Sequence, residues 1–106
     1  MPSHQQIERF TLAFHRRALE RLRGNPALLS EAINVLDRWE AQGMSSTGQP
    51  YRDAWRKLLA AGDLALLEKA VCAPTEAAAT LRSTSPLGFL LEPAERLRIR
   101  REAMAP

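Results

Sequence analysis

The sequence predicts an all-α protein, a single compact bundle of five or six helices with a flexible loop after the second. Three observations lead there. Large apolar residues recur at intervals of three and four, the spacing that lines one face of a helix. Capping residues or prolines stand before these runs, and glycines close several of them. The chain has 106 residues, 45% apolar and 25% charged, which suits one ordinary globular domain with one modest core.

The first helix is expected over residues 4–23. Ser3 and Gln6 have the spacing of a capping box, and Gly24 is the favoured stop. Ile7, Phe10, Phe14, Ala18 and Leu22 form one stripe, widened by Leu12 and Leu19, while Arg9, Arg16 and Glu20 point away. For the second helix, residues 26–42, Asn25 is the expected cap, Pro26 suits the first helical position and Gly43 closes the element. Leu28, Leu29, Ala32, Ile33, Val35, Leu36 and Trp39 fill its apolar side.

Met44 to Gln49 lacks apolar periodicity, and its small polar residues repay little of the entropy of ordering, so a flexible hinge is expected. Pro50 opens a third helix over residues 51–61. Tyr51, Trp55, Leu58 and Leu59 should face inward, and Arg52, Arg56 and Lys57 outward. Helices one to three hold most of the large apolar residues and are expected to form the main core. Asp63 and Thr75 are caps for two short helices, residues 64–72 and 76–82, separated by Pro74. Ser83 to Leu91 reads as an apolar turn buried against the core or a partner. Glu92 and Pro93 open a last helix, residues 93–103. There Arg-Leu-Arg-Ile-Arg also alternates as a strand would, but Pro93 and the flanking alanines favour a helix.

The uncharged stretch Ser83 to Leu91 is far shorter than the roughly 20 residues of a membrane span, and Glu8 and Arg9 break up the N-terminus, so neither a membrane segment nor an export signal is expected. Cys72 is the only cysteine, which fits a reducing cytoplasm. The pI is 9.8, yet the formal charge is only +3, too small an excess to argue for nucleic acid by itself. Residues 1–23 carry five arginines against two glutamates, and the last helix carries Arg96, Arg98, Arg100 and Arg101. Such clusters either complement helix C-termini or meet a partner.

No constellation dictates a chemistry. His4 and His15 lie roughly 16 Å apart along one helix and cannot share a metal ion. His15 borders the apolar stripe and reads as a core histidine satisfied by a neighbour. A Cys72–His15 dyad has no local support, and neither a glycine-rich phosphate loop nor a nucleophile elbow occurs. No catalytic residue, cofactor or metal is therefore assigned. Trp39, Tyr51 and Trp55 flank the hinge as core residues or as anchors for a partner. Leu67 to Arg82 can be laid on a helix-turn-helix, but Glu76, Ala77, Ala78, Ala79 and Thr80 offer little to read bases with.

Three segments together carry a family resemblance: Phe-His-Arg-Arg-Ala-Leu-Glu-Arg-Leu-Arg-Gly-Asn-Pro-Ala-Leu-Leu at 14–29, Pro-Tyr-Arg-Asp-Ala-Trp-Arg-Lys-Leu-Leu at 50–59, and Leu-Arg-Ser-Thr-Ser-Pro-Leu-Gly-Phe-Leu-Leu-Glu-Pro-Ala-Glu-Arg at 81–96. They resemble a group of small helical bacterial proteins that occupy the antitoxin position of two-gene toxin-antitoxin operons. The resemblance implies binding to a co-expressed toxin so as to cover its active site, with repression of the operon as a further role. It is made of packing and capping patterns and transfers no functional residue. The expected function is thus a non-catalytic antitoxin whose partner is a protein encoded next to it. The alternative is a helix-turn-helix-like transcriptional regulator on operator DNA. The expected partner-binding residues are Leu87, Phe89, Leu90, Arg96, Arg98, Arg100 and Arg101, an apolar anchor beside a cationic cluster.

Overall fold

Ser3 and Gln6 start the first helix reciprocally. The Ser3 hydroxyl accepts from the Gln6 backbone N–H at 3.1 Å, and Gln6 Oε1 accepts from the Ser3 N–H at 2.8 Å. A computed structural model describes all 106 residues and places six helices and no strand along them. They are α1 (His4–Gly24), α2 (Leu28–Ala41), α3 (Gln49–Ala61), α4 (Leu64–Val71), α5 (Glu76–Ser83) and α6 (Pro93–Met104), with 3-10 turns at Ser46–Gly48 and Gly88–Leu90. None is long and apolar enough to cross a membrane.

Most of the predicted caps form. Asp63 accepts from the Leu66 N–H at 3.0 Å and Thr75 from the Ala78 N–H at 3.2 Å. Gly43 takes φ 72°, and the Gly43 and Met44 amides bond back to the Glu40 and Trp39 carbonyls, the two-bond closure that needs a left-handed residue. Asn25 does not cap α2. Its backbone N–H closes α1 on the Arg21 and Leu22 carbonyls, and i to i+3 bonds from Leu28, Leu29 and Ser30 turn the chain, so α2 starts two residues after Pro26.

The expected hinge is folded. Ser45 Oγ accepts from the Thr47 N–H at 3.2 Å, a 3-10 turn follows, and Arg52 Nη2 donates to the Ser45 carbonyl at 2.8 Å. This contact reverses the expected facing of α3 at two positions. Arg52 is buried and Tyr51 is exposed, because the guanidinium finds acceptors in the Ser45 carbonyl and Gln49 Oε1 that no amphipathic pattern records. Trp55 is fully buried, with its indole N–H on the Leu81 carbonyl at 2.9 Å, whereas Trp39 is half-buried. Ile7, expected in the stripe of α1, is exposed.

Helices α1 to α3 do not form the main core alone. Phe14, Ala18, Leu19 and Leu22 of α1 pack in one cluster with Ala32 and Leu36 of α2, Trp55 and Leu59 of α3, Leu67 and Val71 of α4, and Leu87, Leu90 and Leu91 of the turn before α6. The most extensive helix pairing is α1 with α6, while α2 packs mainly on α3. Gln6 Nε2 reaches the Met104 carbonyl at 3.2 Å and Arg17 reaches Glu95, so α6 runs antiparallel to α1.

Candidate functional site

The arginines and apolar residues around α6 divide into two groups by what they touch. On the inner side, Glu95, Ile99 and Ala103 recur every four residues and face α1. Ile99 packs on the core and Ala103 is buried. Glu95 accepts from Arg17 Nε at 2.7 Å and from Arg21 Nη2 at 3.1 Å. The hydrogen bond to Glu95, with its charge, holds the Arg17 guanidinium above its ordinary pKa. Arg23 pairs with Glu68, and Arg56 with Asp37 at 2.8 Å. The basic cluster of α1 is thus largely spent within the fold.

Three residues expected to contact a partner belong instead to this inner group. Leu87 is fully buried and Leu90 is 3% exposed, so neither can anchor another molecule without unfolding the turn. Arg96 bonds through Nη2 to the Gly88 carbonyl, and to that of Leu91 at 3.4 Å, and its guanidinium lies 5.6 Å from the centre of the Phe14 ring. It ties the apolar turn to α6 and α1.

The outer side keeps the rest. Arg98, Arg100 and Arg101 are exposed, make no hydrogen bond and have no carboxylate within 4.0 Å. Leu97, 48% exposed, shares a face with Arg101 at i+4, flanked by Arg98 on one side and Arg100 on the other, and Phe89 of the preceding turn is 42% exposed. Leu97 is absent from the expected set. The signal for it is in the sequence, since assigning Glu95, Ile99 and Ala103 to the inner face leaves Leu97 and Arg101 on the outer one.

The interior offers no activated group. His15 is buried, Nδ1 lies 2.6 Å from the Thr11 carbonyl and Nε2 has no partner. Burial above all pushes its pKa down to about 4; the Thr11 hydrogen bond opposes this, and the charge of Arg82 adds to it. The imidazole is therefore neutral at pH 7. Burial, seconded by Glu68, pushes the Cys72 thiol up, which disfavours the nucleophilic thiolate. No three His, Cys, Asp or Glu side chains come together to hold a metal ion.

No family model, no curated protein and no solved structure matches this chain.

In the α4–α5 pair, Arg82 is the only long basic side chain of the second helix. It is buried, with Nη1 on the Val71 carbonyl at 2.7 Å and the Ala73 carbonyl at 3.3 Å. With Arg82 buried, α5 presents Glu76, Ala77 and Ser83 to the outside and no exposed cationic side chain.

Proposed function

We propose that this chain is a non-catalytic antitoxin that neutralises a co-expressed bacterial toxin by direct binding, through the outer face of α6 and Phe89. The observation that carries the reading is the unpaired group Arg98, Arg100 and Arg101 around the exposed Leu97, on a helix whose inner face is already committed to α1. Arginine is enriched at binding hot spots and aromatic residues such as Phe89 at interface cores, and a guanidinium fork suits a carboxylate-bearing surface. The partner's docking surface is accordingly acidic with an apolar centre. The resemblance to antitoxins points the same way.

Deleting everything after Arg82 does not test this, because it would strip Leu87, Leu90 and Leu91 from the core. Charge reversal does. The product of the adjacent open reading frame should arrest growth when expressed alone. Co-expression of the full chain should restore growth, and R98E/R100E/R101E should not, although that variant keeps its helical content. A harmless neighbour, or full rescue by the reversed variant, would overturn the reading. Promoter binding that weakens steeply with salt would then support the operator-DNA alternative.

A further inference from the structure

A cleft of ≈ 390 Å³ opens where the loop after α2 meets the turn after α5, lined by Trp39, Met44, Ser45, Arg52 and the run Ser83 to Ser85. Arg52 is the only ionisable group in that lining, and it is 4% exposed. No carboxylate pairs with it. Nη2 donates to two neutral oxygens, the Ser45 carbonyl at 2.8 Å and Gln49 Oε1 at 3.0 Å, and Nε has no partner. The carboxylates nearest in the network, Asp53 and Glu40, are reached only through the Gln49 amide, at 2.8 and 3.4 Å. A buried guanidinium without a counter-ion is costly, and such a group is unusual unless something pairs with it.

The loop is shaped around that cation. A Cβ at Gly48 would stand 2.6 Å from Arg52 Nη1, so glycine lets the backbone close on the guanidinium. The hydroxyls sort by their commitments. Ser83 and Thr84 donate to carbonyls of α5, to Thr80 at 2.8 and 3.1 Å and, for Thr84, also to Leu81 at 3.1 Å. Ser45 Oγ and Ser85 Oγ accept from the Thr47 and Leu87 amides at 3.2 and 3.1 Å, which leaves both hydroxyl protons free to donate. The uncommitted polar groups of the cleft are therefore a cation and hydroxyl donors, with no acidic side chain to repel an anion. Trp39 and Met44 supply the apolar surface, and the volume lies at the small end of the range for ligand pockets.

We propose that this cleft binds a small molecule with an aromatic or apolar body and one oxyanion head, a carboxylate or a phosphate monoester. Arg52, Ser45 and Ser85 hold the head, and Trp39 and Met44 hold the body. The site uses none of the outer face of α6 and does not depend on toxin binding.

The test is a nitrogen-15 NMR titration of the full chain with benzoate, phenyl phosphate and inorganic phosphate, and with benzamide as the uncharged counterpart of benzoate. The Arg52 Nε–H and Trp39 indole signals report the cleft, and the Trp55 indole serves as the internal reference. Benzoate or phenyl phosphate should give saturable shifts at Arg52 and Trp39 but not at Trp55, and the stronger of the two identifies the head group. Inorganic phosphate should bind more weakly than phenyl phosphate, and benzamide at least tenfold more weakly than benzoate. Arg52→Met should abolish saturation. If that variant does not fold, Arg52→Lys and Ser85→Ala carry the test, each expected to weaken binding at least threefold. Absence of saturable shifts with both benzoate and phenyl phosphate, equal binding of benzamide, or unchanged affinity in the variants would overturn the proposal.

Discussion

Arg17 of α1 donates through Nε to Glu95 of α6 at 2.7 Å, across 78 positions of sequence. With the Arg21 bond to the same carboxylate, this contact fastens a helix whose apolar contribution to the core is little more than Ile99 and Ala103. Glu95→Gln should therefore lower the urea midpoint, because one carboxylate serves two arginines and is itself largely shielded from solvent. Urea unfolding in low salt measures it, and the difference should shrink in 0.5 M salt.

His15 makes stability depend on pH. Its folded-state pKa, about 4, lies below the ordinary 6.5, so between these values the unfolded chain binds a proton that the folded chain refuses. Stability from this group is fully present above about pH 6.5 and declines as the pH falls toward 4, by on the order of 2 to 4 kcal/mol in all. Urea midpoints at pH 7.5 and 4.5 should differ less in His15→Leu than in the unchanged chain. The comparison with His15→Leu isolates the share of the pH dependence that belongs to this group.

The fold was legible wherever local rules decide it. Ser3 with Gln6, Asp63 and Thr75 cap as their spacing predicts, and Gly43 and Gly62 stop helices with positive φ. Asn25 misled because the turn bonded from Leu28, Leu29 and Ser30 moves the start of α2 to Leu28, which leaves Asn25 to close α1 through its backbone N–H. Arg52 misled for a different reason. Its guanidinium is buried on the Ser45 carbonyl of the preceding loop, as that of Arg82 is on the Val71 carbonyl, and no helical wheel encodes a carbonyl supplied from elsewhere. For the candidate site, the arginine cluster of α6 was legible by composition. Its division into a tied Arg96 and free Arg98, Arg100 and Arg101 depends on the tertiary position of Gly88 and Phe14.

The placement of the apolar turn separates two leucines that composition treats alike. Leu90→Ala should cost roughly 2 to 5 kcal/mol, as truncation of a buried leucine does. Leu97→Ala should leave the unfolding free energy within about 0.5 kcal/mol of the unchanged chain, because it lies on the open side of α6. Equal loss at the two positions would show that α6 is packed on both faces.

The Met44–Thr47 segment is exposed and is held at Ser45 by Arg52. Limited proteolysis should make its first cuts there, and Arg52→Met should speed them by removing the contact to the Ser45 carbonyl. First cuts inside α1 or α2 would contradict the assigned organisation.

The antitoxin reading turns on the outer face of α6, and calorimetric titration of the folded chain with the product of the adjacent open reading frame measures it most directly. The unchanged chain should bind, with affinity falling as salt rises, and R98E/R101E should lose at least tenfold, about 1.4 kcal/mol, while its circular dichroism shows it still folded. Equal affinity in the reversed variant, or no binding by the unchanged chain, would contradict the account.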